Sequence, residues 1–578
     1  YMDMIPVFVG ADGVFVTRFL DFYASSGSDT PTVEPAVSGG TFQGETMAAV
    51  YRNDAMERNA AVDETAWITV SRSIRDTFPV IDRPPSEYRL HMAGRSVSQN
   101  GPGNRYDRAL QWVQRAGALG VDRMAQIKWD WHKWPFNLND PDYLPAAPAA
   151  PCGTVWGTAA QWLQYANGAL GNGWPLALYF AEDMHDPGYP NLTLQLPGSD
   201  PGSLLLTPNT AYVAAQSVRD GAGAPKLGWD TNNNLANTNL KGLGHPTEVI
   251  GPHLRAAKLA GHAARIRGQG GFPTGGAHID AQTEIPCWMH IDQRAGSGFP
   301  RTIAENLRHR EASFQAAKDG LEGPLFGENS HWRYRAFESY AAGLLDGTSR
   351  KIPIHWNPAA GPANATSWDY LVLPDFELLE VLPRAGGFFG MGWEYHYRGS
   401  GYPVGDAWID GWHARLLAYG HAPYFSTNGD VTNNYWDWRR TLRSHWVLQG
   451  LSGRMRAGRA REVRYVDGGG AERMLEEALA LGLDLRFPRL VVRMADGLEL
   501  KVNCAQAPWT TTVLGRPWTL PSDGFVGAAP DGLLALSAVN PAGGARVDYA
   551  LEPGVSEAID RRGAAQFFSG FPGTHLPI

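Results

Sequence analysis

Between Glu87 and about Leu451 the chain alternates two textures. Short apolar runs bounded by Gly, Pro or Asp give way to longer stretches with apolar residues three and four positions apart. The first texture is that of a buried strand and the second that of an amphipathic helix. Their alternation predicts a parallel sheet with helices returning over it. The expected strands are 88–92, 122–129, 174–180, 276–280, 324–327, 370–373, 388–393 and 423–426. The expected helices are 106–119, 158–170, 247–267, 301–319, 332–345, 408–419 and 435–451. Stretch 174–180 is apolar almost throughout, as a strand covered on both faces should be. Eight strand–helix units suit an enlarged (β/α)8 TIM barrel.

The flanks read differently. Residues 1–85 hold short β-branched and aromatic runs between turn residues, which predicts a β-rich N-terminal domain ending at Asp82-Arg-Pro-Pro85. The barrel is expected over 86–455. Within it, 187–245 is dense in Gly, Pro, Asn, Asp and Thr, too long for a plain connection, and reads as a partly β insertion beside the cleft. Residues 456–578 return to β texture with Asp-Gly and Gly-Gly-Gly turns, predicting a C-terminal antiparallel β-sandwich. The fold class is therefore α/β with flanking β domains.

Composition narrows the chemistry. Fifty basic against 58 acidic residues give a formal charge of −8, so nucleic acid is not an expected partner. No apolar run is long enough to span a membrane. The three cysteines, Cys152, Cys287 and Cys504, show no metal spacing, and no cofactor motif is present, so no metal and no cofactor are expected. The 21 Trp, 21 Tyr and 22 Phe suit a carbohydrate cleft, since aromatic faces stack on the CH faces of sugars, although any one ring can equally be core. The chain begins at Tyr1. A secreted or periplasmic location is expected, with a cytoplasmic one left open.

Candidate chemistry gathers where the expected strands end. The run 276–280 stops at Asp280 and the run 324–327 stops before Glu328. Barrel active sites sit at the carboxyl ends of the strands, and two facing carboxylates are what glycosidic cleavage needs. One must be protonated to release the leaving oxygen, the other ionised. Either acid could instead cap the following helix. Strand two runs into Trp129, Asp130, Trp131 and His132, a sugar subsite or a packed loop. Strand three runs into Asp183, His185 and Asp186, ligand-type side chains that also open the alternative of a metal-dependent hydrolase. Asp292 is a third carboxylate or the structural partner of Arg294. Asp375, Trp393, Glu394 and Tyr424 close the set of substrate-binding candidates. No GxSxG elbow, P-loop or Rossmann fingerprint occurs.

With an Asp ending strand four and a Glu ending strand five, the chain resembles α-retaining barrel glycosidases, both the α-amylase superfamily and the endo-α-N-acetylgalactosaminidase group. The runs Phe326-Gly-Glu328, Lys501-Val-Asn503, Trp509 and Leu520-Pro-Ser-Asp-Gly-Phe525 look most like large bacterial relatives of the second group. The resemblance implies that Asp280 is the nucleophile and Glu328 the acid/base, acting on an α-linked carbohydrate. Amylases carry Arg two positions before their Asp; here His278 stands there. A non-catalytic carbohydrate-binding protein is the second alternative.

Overall fold

A computed structural model describes residues 7–9, 13–21, 28–29, 50–51, 62–73, 75–77, 86–100, 105–128, 131, 157–180, 184–185, 215–220, 222–231, 246–268, 275–279, 282, 291–292, 294, 297–327, 338–342, 387–388, 406–420, 424–427, 438–485, 487–540, 544–560, 565–569 and 575–577. At its centre is an eight-stranded, wholly parallel sheet. In chain order the strands are Ser96–Asn100, Met124–Lys128, Leu176–Phe180, Ala277–Ile279, Leu325–Gly327, Glu338–Ala342, Gly387–Phe388 and Tyr424–Thr427. Each pairs with the next in the chain through strand seven, and strand eight pairs in parallel with strand one, Tyr424 opposite Val97. That order is a cyclic permutation of the sequence, as when a barrel is cut along one seam.

Two expected elements are corrected. Residues 88–92 do not form strand one. Arg89–Met92 is a short helix whose Leu90 is exposed, and strand one follows at Ser96–Asn100. Its polar Ser96 and Ser98 are fully buried because it pairs on both sides. The helix expected over 332–345 contains instead strand six, with Tyr340 opposite Phe326. The strand expected at 370–373 lies outside the described residues. The other described strands and helices fall within a few residues of expectation.

The helices pack in pairs on the outer face. Thr158 opens Ala159–Gly171 with a reciprocal capping box to Gln161, and Thr302 opens Ile303–Leu321 in the same way with Glu305. Tyr106 meets Trp162 edge to face at 5.1 Å, joining the first pair. In the second pair Gly320 lies so close to Ala263 that a Cβ would come within 2.4 Å of it. Strands four and five start in backbone contact. Gly276 has φ +118°, and a Cβ there would stand 2.2 Å from the Pro324 carbonyl oxygen, so only glycine fits.

Met184–His185, Leu227–Thr231 and Pro246–Val249 form a small antiparallel sheet, of which Leu227–Thr231 lies within 187–245. Val7–Val9, Phe15–Asp21 and Thr65–Ser71 form another near the start of the chain. After the helix Trp438–Ala457 comes a ten-stranded antiparallel sheet. One face joins the main core, where Leu442 and Leu451 of that helix cluster with Leu490, Leu500 and Phe525. The other face, with Val491 and Val526, is covered by the hairpin Trp509–Val513/Arg516–Leu520. Arg443, fully buried, faces Asp548 of the sheet at 3.2 Å and Asp410 at 3.6 Å.

Candidate functional site

The faces of the parallel sheet can be assigned residue by residue. Phe180, at the end of strand three, packs edge-on against His262 of the helix Pro252–Gly268, so it points outward. Side chains alternate along a strand, which turns Tyr179 inward. Across the register, Tyr179 stands beside His278 and His278 beside Phe326. The Tyr179 and His278 rings are stacked at 5.4 Å with 22° between planes, and both are fully buried. The inner wall of strands three to five therefore carries Tyr179, His278 and Phe326 in one row.

Asp280 and Glu328 lie outside the described residues. The residues immediately before them do not. Ile279 and Gly327 are register partners on adjacent parallel strands. Two residues beyond Asp280 the chain is anchored again. Gln282 is fully buried, its carbonyl oxygen accepts from Arg310 Nη1 at 2.6 Å, and its side-chain oxygen accepts from Ser313 Oγ at 3.0 Å. Arg310 and Ser313 escaped the sequence reading. Their signal is that Arg310 shares the stripe of Leu307, Phe314, Ala317 and Leu321, the buried face of the helix. A cation on that stripe must find an acceptor inside the protein.

Trp131 belongs to the packed wall. It is 4% exposed, its indole N–H donates to the Tyr179 carbonyl at 2.8 Å, and its ring lies edge-on to Phe180 at 5.5 Å. Tyr106 Oη in turn donates to the Trp131 carbonyl at 3.0 Å. The residues around it, Trp129, Asp130 and His132, are outside the described set.

Of the two roles open to Asp292, the structure realises the pair with Arg294. Asp292 is fully buried. It accepts from Arg294 Nη2 at 2.7 Å and Nε at 3.1 Å, and from the backbone N–H groups of Arg294 at 2.9 Å and Arg219 at 3.0 Å. Both oxygens are engaged in fixing the loop. His185 sits in a strand paired with Glu248, and Tyr424 opens strand eight. Asp183, Asp186, Asp375, Trp393 and Glu394 lie outside the described residues. Among the described residues no group of three His, Cys, Asp or Glu is arranged to hold a metal, and no helix is long and apolar enough to cross a membrane.

No protein-family model matches the chain, and no curated protein sequence matches it. Solved structures do. An α-N-acetylgalactosaminidase from Bifidobacterium bifidum, NagBb, in a quadruple-mutant form, superposes with a TM-score of 0.51 at 12% identity, covering 86% of this chain and 72% of that one. Its ligand-free form gives 0.50 at 13% identity, over 86% and 73%. A cyclic α-maltosyl-(1→6)-maltose hydrolase from Arthrobacter globiformis reaches 0.44 at 12% identity, over 77% and 99%. The likeness to the Bifidobacterium enzyme is one of fold, and the fold is one that glycosidases use.

Proposed function

We propose that this protein is a glycosidase that cleaves an α-linked carbohydrate with retention, through Asp280 as nucleophile and Glu328 as acid/base. The observation that carries the reading is the register of strands four and five. Ile279 stands opposite Gly327, and Asp280 and Glu328 are the next residues in the chain. Adjacent strands run about 4.8 Å apart. Retaining carboxyl pairs stand about 5–5.5 Å apart, whereas inverting pairs need roughly 6.5–9.5 Å to admit a water. Register-matched acids on adjacent strands start from the retaining spacing. The inward-facing His278 and Phe326 stand two positions before the two acids in the chain. A carboxylate at 280 beside one at 328 raises the proton affinity of whichever is less solvated, which gives one acid and one nucleophile.

In this reading strands seven and eight close the sheet into a (β/α)8 barrel over 86–455, flanked by β domains at 1–85 and 456–578. Trp129, Asp130 and His132 border the sugar, with Trp131 as the buried anchor of their loop. Asp183, His185, Asp375, Trp393 and Glu394 line other parts of the same end, whereas Tyr424, the first residue of strand eight, falls at the opposite end of its strand. The α-linkage follows the fold likeness and the Asp-then-Glu order. The test is turnover of aryl α- and β-glycosides and natural glycans by the wild type, Asp280→Asn and Glu328→Gln, with the product anomer followed by NMR. Each variant is expected to lose about 10²–10⁴-fold in kcat with its fold intact, and the first-formed product keeps the substrate's anomeric configuration. Near-normal turnover by either variant sinks the assignment, and an inverted product sinks the retaining mechanism.

A further inference from the structure

The helix Ile303–Leu321 follows strand four, so its first turns stand at the same end of the sheet as Ile279 and Gly327, the last residues of strands four and five. Against these turns lies a hollow of about 460 Å³, lined by Gly298, Phe299, Pro300, Glu305, Arg308 and His309. That is the size of a small-ligand pocket.

Its walls are fixed in place. The Phe299 ring is held by the Arg294 guanidinium, 4.8 Å from its centroid, and by the His253 ring at 4.4 Å. Arg294 is itself gripped by the buried Asp292. Behind the ring, Gly251 leaves no slack, since a Cβ there would come within 2.5 Å of it. Glu305 Oε2 accepts from the backbone N–H groups of Arg301 at 2.8 Å and Thr302 at 3.1 Å, which pins the carboxylate at the rim.

The lining decides the ligand class. Arg308 and Glu305 offer one charge of each sign, so an anion meets a carboxylate and a cation meets a guanidinium. Burial holds His309 below the usual imidazole range, and the Arg308 charge pushes the same way; burial likewise lowers His253. A neutral imidazole both donates and accepts. An aromatic ring, bidentate charged groups and a neutral imidazole together suit a neutral ring with an apolar face and many hydroxyls.

We infer that this hollow is an accessory subsite for a neutral sugar residue, so that the substrate is an oligosaccharide extending past the cleavage point toward the strand-four side. The subsite rests on the glycosidase reading for its role in turnover, but not for its ability to bind sugar. Two measurements on the full chain separate these. The first compares wild type, Phe299→Ala and Arg308→Ala on an aryl monoglycoside and on the aryl oligoglycoside of the same sugar. The expected result is KM raised about tenfold on the oligoglycoside alone, with kcat unchanged. Equal KM values for variants and wild type on the oligoglycoside, or an equal loss on both substrates, overturn the subsite. The second measures binding of glucose, galactose, N-acetylgalactosamine, maltose and maltohexaose by ligand-observed NMR. Binding by the wild type that both variants weaken about tenfold supports the subsite even if no glycoside is turned over, in which case only the glycosidase reading falls. No binding, or binding that neither variant weakens, overturns it. Arg308 is exposed and its variant keeps the fold, which guards the test against a collapse of Phe299→Ala.

Discussion

Replacing Arg310 by Met tests the link between the packed helix and the segment proposed to carry the nucleophile. Arg310 is 1% exposed, and its Nη1 donates to the Gln282 carbonyl at 2.6 Å, two residues past Asp280. Met fills most of the same volume and removes the donor. A hydrogen bond from a charged group contributes about 1.5–3 kcal/mol. Against this, taking a guanidinium out of the interior returns part of its desolvation cost. The Gln282 carbonyl that loses its donor is neutral, so the two effects partly offset. A net loss of about 1–2 kcal/mol is expected in urea unfolding followed by tryptophan fluorescence.

Activity should move further than stability. In the proposed reading Asp280 lies in the chain between Ile279, the last residue of strand four, and the anchored Gln282. Freeing the anchor lets the carboxylate drift, and a misplacement of about 1 Å can cost on the order of 10²-fold. The expected outcome is kcat down roughly 10–100-fold with KM within about threefold. Ser313→Ala, which frees the Gln282 side chain, should cost about 1 kcal/mol alone and couple to Arg310→Met by more than about 0.5 kcal/mol, because both bonds converge on one residue. Wild-type kcat in Arg310→Met would refute the idea that this helix positions Asp280.

Two further predictions concern the frame. Arg443→Met takes that cation from the buried Asp548, 3.2 Å away, and from Asp410, 3.6 Å away, although Asp410 keeps Arg546 at 3.0 Å, and removing one partner of a buried ion pair costs about 3–5 kcal/mol. The urea midpoint should fall accordingly, and a loss below about 1 kcal/mol would mean that the cluster does not hold the helix to the sheet. His445 is fully buried, and burial, helped by the Arg123 charge, pulls it down to about 3 from an ordinary value of 6.5. Because the unfolded chain takes up its proton first, stability is full above about pH 6.5 and falls toward pH 3 by up to about 1.4 kcal/mol per unit. His445→Phe should flatten that slope in unfolding measured at pH 7 and pH 5; an unchanged slope would place the acid sensitivity elsewhere.

How legible the fold was depended on what a strand spends its side chains on. Strand three, Leu176–Phe180, is apolar throughout and buried on both faces, so its run betrays it. Strand one is Ser-Val-Ser-Gln-Asn, and nothing local separates it from a loop. It becomes a strand because neighbours on both sides supply its hydrogen bonds and bury Ser96 and Ser98. The apolar positions of 88–92 were the louder signal, yet they serve a helical turn with Met92 buried and Leu90 in water. Strand six fails for the related reason that Glu-Ser-Tyr-Ala-Ala has helix-forming composition, and its pairing with strand five overrides that preference.

The site was legible in its ends and not in its supports. Acids that stop apolar runs can be read from one dimension, and so can the choice offered by Asp292, whose partner Arg294 is two residues away. Arg310 cannot be assigned that way, because its acceptor lies 28 residues back in the chain. The same holds for Trp131, which carries the composition of a sugar platform but donates its N–H to Tyr179, 48 residues on, and is buried by that bond. A sequence displays the chemical groups a site can use, while the partner of each group decides whether it is spent. On that criterion Asp292 has both oxygens occupied by Arg294 and Arg219, while Arg310 and Ser313 spend their donors on Gln282.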